Sequence, residues 1–338
     1  MDWSSGYSAR YLAYEVDPVT WRDMDPIDII DGSISKKDEA LLQSADLTCF
    51  NFDGNSEKWV RVYLEARQAS DAYYGPLFTG LASSPDKNID GTFISTPVQC
   101  FSVLKPADDV LLSRGWFANS KADGVQIVQD LLKVTPAPIT VNGATKSISE
   151  NIIAEDGETN LSMAIKILDI MNWQMKISGD GSITLRPSDA SLTNNDVVIF
   201  DNVNHDCLET DVKVKYDWFS CPNVFRASYG DLIAVARDED PNSMFSIPNR
   251  GREIWKEETD CNLNDGEDIA MYAKRKLKEA QQTSCELSYS RRFDPTIDIF
   301  DIVGLNYPAQ GLSGYYRVTS QTIKLGDSSV SETVYKIV

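Results

Sequence analysis

The chain has 338 residues, 42% hydrophobic and 10% aromatic, a composition of folded domains rather than of a disordered segment. Its formal net charge of −19 argues against tight binding of DNA or RNA, because that affinity comes largely from Lys and Arg on phosphates. No apolar run approaches the ~18 residues that span a bilayer, and Met1-Asp-Trp-Ser-Ser-Gly6 has neither the basic nor the apolar part of a secretory signal, so folding in a cytoplasm is the expectation.

The length predicts two or three domains. Pro26–Ile30 and Ala45–Phe52 read as strands. Trp59 to Ala66 alternates strictly: Val60, Val62, Leu64 and Ala66 share one face, and Trp59, Arg61, Tyr63 and Glu65 the other. Gly75–Gly80 precedes a polar turn, and Phe93–Leu104 continues as strand, interrupted at Pro97. Short strands separated by turn signals predict a small antiparallel barrel or sandwich.

Near residue 107 the pattern changes. Asp123 caps a predicted helix with the apolar stripe Val125, Val128, Leu131 and Leu132, and Thr135-Pro-Ala-Pro138 ends it. A second helix starts at Thr159 or Asn160, with Leu161, Ala164, Ile165 and Leu168 as its buried stripe. Trp173–Ile177, a Gly179-Asp-Gly181 turn and Ser182–Arg186 then form a hairpin. After a polar loop, 196–200 and 211–216 read as strands, and 223–235 as another pair or a long hairpin arm. The helix from Asn264 to Ala280 carries Ile269, Tyr272 or Ala273, Leu277 and Ala280 as its stripe, with Glu267 and Asp268 at its positive end and lysines toward the other. A strand at Cys285–Tyr289, a turn leading into a strand over Phe293–Leu305, and strands at Gly314–Leu325 and the chain end follow.

Chemistry is sparse. Cys49, Cys100, Cys207, Cys221, Cys261 and Cys285 include no CxxC pair, so free core thiols are expected rather than a zinc site. His205 is the only histidine, so any nucleophilic triad or dyad must use it. A dyad with Cys207 is geometrically possible on a strand; a surface histidine beside Asn204 and Asp206 is the preferred reading. The run Asp23, Asp25, Asp28 and Asp31 lacks the spacing and glycine of a calcium loop. With 51 acidic residues, no carboxylate pair singles itself out for glycoside hydrolysis. No phosphate-binding glycine motif is present, and no basic stripe interleaves the aromatic residues. Tyr73–Tyr74 and Tyr315–Tyr316 alternate across strands, so each pair offers one ring per face and reads as packing rather than a sugar platform. No catalytic, cofactor or metal residue is expected.

Three stretches carry a family resemblance. They are Leu161–Arg186 with the Leu185-Arg186-Pro187 ending; Asp268–Ser290, an Ala- and Lys-rich helix running into Cys-Glu-Leu-Ser-Tyr289; and Asp294-Pro-Thr-Ile-Asp-Ile-Phe-Asp-Ile-Val-Gly-Leu305 followed by Gly311–Ser320. In this order the chain resembles the bacteriophage tail hub family, the late control D or baseplate hub proteins. Phe300 stands where that family's pattern has glycine before Asp301.

The resemblance implies an α+β, mainly β fold: two small antiparallel, tube-like β-barrel domains with an inserted helix-plus-hairpin domain. The expected limits are 1–112, 113–190 and 221–338, with 196–220 as candidate strands to complete the first barrel. It further implies a structural, non-enzymatic homotrimer that joins the tail tube or distal tail protein to a spike or tip protein. Tape measure protein, and baseplate wedges if the tail contracts, are the other implied partners. DNA would pass through its channel without specific binding, part of the acidic excess would line that channel, and no membrane anchor or cofactor is implied. The second face of Trp59–Ala66 is then expected in a trimer contact, and any lytic region, absent after Val338, in another protein. A tail-associated peptidoglycan hydrolase and a host-receptor-binding module are the alternatives.

Overall fold

The computed structural model describes residues 1–337 except 51, 84–87, 91–92, 149–150, 189–196, 202–207, 210, 260, 262, 264–266 and 283. The first strands are β1 (Ser8–Val16), β2 (Asp23–Lys37), β3 (Gln43–Phe50), β4 (Lys58–Gln68), β5 (Asp71–Ala82), β6 (Asn88–Asp90) and β7 (Phe93–Ser102). Antiparallel pairing runs β1-β4-β5-β7-β3-β2, and β2 pairs back onto β1, so a barrel closes. Closure leaves few edges to template aggregation. Val60, Val62, Leu64 and Ala66 of β4 point inward, as their alternation predicts, and meet Ile34, Leu47, Cys49, Phe78, Val98 and Cys100. Burying each large aliphatic side chain contributes ~1.5–3 kcal/mol. Pro97 does not interrupt β7 as expected. It is exposed opposite Thr48, where the other edge of β7 carries no paired strand among the described residues, and there a missing N–H is tolerated.

The insert comprises α1 (Lys105–Asp109), β8 (Phe117–Ala118), α2 (Gly124–Leu132), β9 (Ile139–Val141), β10 (Ile152–Ile153), α3 (Asn160–Met171), β11 (Trp173–Ile177) and β12 (Ile183–Pro187). Asp123 Oδ1 accepts from the backbone N–H groups of Val125 at 3.0 Å and Gln126 at 3.2 Å, and the four predicted apolar residues of α2 are buried. Asp123→Ala is expected to cost about 1 kcal/mol, read as a lower urea midpoint; an unchanged midpoint would remove the cap from the stability account. Thr159 and Ser162 form a reciprocal capping box for α3, and Asn172 ends the helix in the left-handed region at φ 54°. The buried face of α3 is wider than the predicted stripe. Met163, Ile167, Ile170 and Met171 are buried while Ile165 is half-buried, because α1, α2 and β11 all cover the helix.

The remaining elements are β13 (Val198–Asp201), β14 (Lys213–Tyr216), β15 (Val224–Tyr229), β16 (Leu232–Arg237), α4 (Ile247–Arg250), β17 (Trp255–Glu258), α5 (Ile269–Gln282), β18 (Cys285–Arg292), β19 (Ile302–Tyr307), β20 (Leu312–Leu325) and β21 (Ser329–Ile337). A second six-stranded unit runs β13-β19-β20-β21-β18-β14. Its two end strands correct the expectation for 196–220: β13 pairs with β19 and β14 with β18, not with any strand of the first barrel. Among the described residues β13 and β14 do not pair with each other, so this unit stays open where the first is closed.

A further correction concerns α5. Tyr272, Ala273 and Leu277 are buried as predicted, and Ile269 and Ala280 are half-buried. The stripe lies against Phe225, Ala227 and Ala236 of a separate three-stranded sheet, β16-β15-β17, rather than against the second barrel-like unit. The strands β15, β16 and β17 with α5 therefore form a small α/β unit of their own, set into the span expected to be one barrel domain carrying a single helix at 264–282.

One pairing joins the two large units. β2 pairs along one edge with β3 and along the other first with β1 and then, from Gly32 to Lys37, with Leu325 to Ser320 of β20. The family's glycine position also becomes intelligible. Phe300 has φ 71°, the left-handed region that glycine adopts freely, and its buried ring lies under Arg317 at 5.2 Å. The position thus has a backbone conformation that glycine would adopt without strain, and the phenylalanine side chain offsets that strain by burial.

Candidate assembly surfaces

His205 and Cys207 lie outside the described residues. Cys49, Cys100, Cys221 and Cys261 are buried free thiols and Cys285 is half-buried; burial pushes the Cys49 thiol up to about 12, the behaviour of a packing residue rather than a nucleophile. Asp23 accepts from Arg61 Nη1 at 2.8 Å and Tyr63 OH at 2.6 Å, whereas Asp25, Asp28 and Asp31 stand exposed along β2. Among the described residues no group of His, Cys, Asp and Glu could hold a metal ion. Each tyrosine pair splits as predicted. Tyr73 packs edge-on against Trp3 while Tyr74 is exposed, and Tyr316 is buried while Tyr315 is exposed.

The second face of β4 is not free for a partner. Trp59, Arg61 and Tyr63 are buried by their own chain. The tip of the β11–β12 hairpin reaches across: Thr79 Oγ1 donates to the Gly179 carbonyl at 2.8 Å, and Trp21 Nε1 and Arg61 Nη2 donate to the Asp180 carbonyl at 2.9 and 3.0 Å. Arg61 Nε also donates to Thr79 Oγ1 at 2.9 Å, which fixes the guanidinium. Gly179 is required by proximity rather than by turn conformation, since a Cβ there would stand 2.0 Å from the Pro76 carbonyl oxygen. Gly181, with φ 83°, supplies the turn itself.

Two ionic clusters brace the second unit. Arg291 and Glu332 form a bidentate pair at 2.8 and 2.6 Å with both side chains 0% exposed. Gln321 Nε2 donates to Glu332 at 2.7 Å and to the Ile297 carbonyl at 2.9 Å, and Arg291 lies over the Phe200 ring at 5.3 Å. Burial works against the charge of Arg291, and Glu332 outweighs it and raises the guanidinium above its ordinary pKa. The second cluster joins β2 and the hairpin to the turn before β19. Lys36 meets Asp298 at 3.0 Å and Lys176 meets Asp301 at 2.9 Å. Burial pushes the Asp298 carboxyl up, but Lys36 and then Lys176 outweigh it and hold it below the ordinary range.

Exposed apolar side chains concentrate in two places. The larger group comprises Val214, Tyr216, Trp218 and Phe219 on and after β14, together with Ile233, Val235 and Trp255 on one face of the small sheet. Phe219 is 83% exposed, Trp218 leans on Tyr216 and Phe245 with ring centroids 5.7 and 5.4 Å away, and β14 leaves one edge unpaired among the described residues. A polar cavity of about 370 Å³, lined by Lys215, Asp217, Ser220, Lys256, Ser284 and Glu286 among others, sits beside it. The smaller patch is on the insert, where Phe117 and Ile153 pair directly across β8 and β10, and Leu111 borders a cavity of about 390 Å³ with Trp116 and Ile127. An exposed aromatic run beside an unpaired strand edge, as at β14, is a feature that favours protein contact. The sequence reading missed it, although adjacent aromatics in the polar stretch Lys215-Tyr-Asp-Trp-Phe-Ser220 are a visible signal.

No protein-family model matches the chain, and no curated protein sequence matches it. Solved structures do. The 43 kDa tail protein of prophage MuSo2 from Shewanella oneidensis matches over 97% of this chain and 98% of its own, with a TM-score of 0.69 and 13% identity. A tail protein from Neisseria meningitidis MC58 matches over 98% of this chain and 97% of its own, with a TM-score of 0.68 and 10% identity. A component of the E. coli type VI secretion system, described as similar to the T4 bacteriophage tail proteins gp27 and gp5, matches over 99% of this chain and 77% of its own, with a TM-score of 0.56 and 8% identity. The chain thus has the mainly β fold of phage tail proteins, as its sequence resemblance implied.

Proposed function

We propose that this chain is a structural hub of a bacteriophage baseplate or tail tip, a homotrimeric ring that joins the tail tube to the spike or tip. One observation carries the reading: two six-stranded units are fused edge to edge in a fold shared along nearly the whole chain with phage tail proteins. Three copies would place six such units around one axis and close a tube without a free sheet edge. The apolar and aromatic strip from β14 to β17 supplies contact surface to a neighbour in the ring or to the next tail layer. The chain acts by assembly, with no catalytic role, and its acidic excess keeps passing DNA from adhering to the channel. The same fold in a secretion component leaves a phage-like injection particle as a second setting for the same ring.

Native mass measurement and sedimentation at micromolar concentration test the reading. A trimer is the expected result. A chain that stays monomeric, alone and with the cognate tail tube protein, would overturn it.

A further inference from the structure

The β11–β12 hairpin turns Gln174 and Arg186, which stand directly opposite each other, to the same face as Lys176. Cross-strand neighbours of this kind lie with their Cβ atoms roughly 5 Å apart. Three donors on this face are buried and have no hydrogen-bond partner among the described residues: Arg186 Nε, Arg186 Nη2 and Gln174 Nε2. The amide orientation is set from the far side, because Gln174 Oε1 accepts from Arg317 Nη2 at 2.7 Å. Nε and Nη2 form the edge of a guanidinium that matches two oxygens of one anion. The chain uses that same edge elsewhere, in Arg291 on Glu332 at 2.8 and 2.6 Å and in Arg275 on Glu267 at 2.8 and 3.0 Å.

Charge around the hairpin face is unbalanced in the same sense. Asp298 and Asp301 are engaged by Lys36 and Lys176, Arg317 donates to a neutral amide, and Arg186 makes no ion pair among the described residues. The exposed Asp38 acts on Arg317 through space. Burial lowers the pKa of Arg186, Asp301 opposes this and Arg317 adds to it, so the cation is held at a cost. Arg186 is half-buried, so the cost falls on its two buried donors, each of which loses free energy while no acceptor meets it.

We propose that Arg186 and Gln174 form an oxyanion site in which the guanidinium fork takes two oxygens of a carboxylate or phosphate group and the amide donates a third hydrogen bond. The anion is either free in solution or a carboxylate from a second copy of this chain. Calorimetry with inorganic phosphate and with acetate, at ionic strength fixed by chloride, reads the first source; sedimentation of the wild type and Arg186→Gln reads the second. Saturable binding of a free anion by the wild type, lost in Arg186→Gln and weakened in Arg186→Lys, supports a solution ion. No free-anion binding, with self-association lost only in Arg186→Gln, supports the second copy. Arg186→Gln removes no hydrogen bond made within the described chain, and circular dichroism confirms that it folds; the wild-type calorimetry stands without it. Absence of anion binding together with unchanged association overturns the proposal and leaves water as the partner of these donors.

Discussion

Glu332→Ala is expected to remove about 3–5 kcal/mol of stability, because it strands the Arg291 guanidinium where no solvent reaches it. The loss spreads beyond one pair. Gln321 loses an acceptor, and the guanidinium that lies over Phe200 of β13 loses its anchor to β21. Arg291 sits on β18, Gln321 on β20 and Glu332 on β21, so one carboxylate ties three strands of the second unit. Denaturant unfolding followed by near-ultraviolet circular dichroism reads the effect. The double variant Arg291→Met with Glu332→Leu is expected to recover most of it, since apolar side chains of matching volume replace a desolvated ion pair at little cost. A single variant within about 0.5 kcal/mol of wild type, the range of ordinary surface substitutions, would show that the pair is dispensable.

Gly179→Val is expected to lift the β11–β12 hairpin off the first barrel. The clash is with backbone, at 2.0 Å from the Pro76 oxygen and 2.9 Å from the Leu77 nitrogen, so no side chain can swing aside. Overpacking alone costs about 1–3 kcal/mol, and the three hydrogen bonds to the Gly179 and Asp180 carbonyls add about 1 kcal/mol each when broken. Hydrogen exchange should report it locally, as faster exchange across Trp173–Pro187 with β15 and β16 unchanged. Gly6→Ala, placed where nothing lies within 4 Å, is the control. Equal protection of the hairpin in Gly179→Val and wild type would rule out the docking described here.

Local signals in the sequence were sufficient wherever a structure is decided within a few residues. The Asp123 and Thr159 caps, the α2 stripe and the inward face of β4 follow from hydrogen-bonding chemistry and period alone. What failed was partnership at long range. The outer face of β4 has the alternation of an interface, but its cover comes from Trp21 over Trp59, Tyr14 and Tyr74 over Tyr63, and, at Arg61, from Asp180 more than a hundred residues downstream. The strands in 196–216 have the composition of strands in either unit, and only pairing with β18 and β19 assigns them. The α5 stripe reads correctly, yet periodicity names the buried residues and not the sheet that buries them. Phe300 is the instructive intermediate. Its departure from the glycine pattern is plain in the sequence, and only the backbone shows that the phenylalanine adopts the left-handed geometry that suits glycine.

The pairing of β2 with β20 has a mechanical consequence. Fifteen residues of β2, about 50 Å of extended chain, serve as a wall of the first barrel and as a rail for the second unit. A pull along this strand would load the rungs between Gly32 and Leu325 through Lys37 and Ser320 in shear, all together, rather than unzipping them one at a time. A pull along β2 is therefore expected to move the two units together rather than to separate them at a hinge.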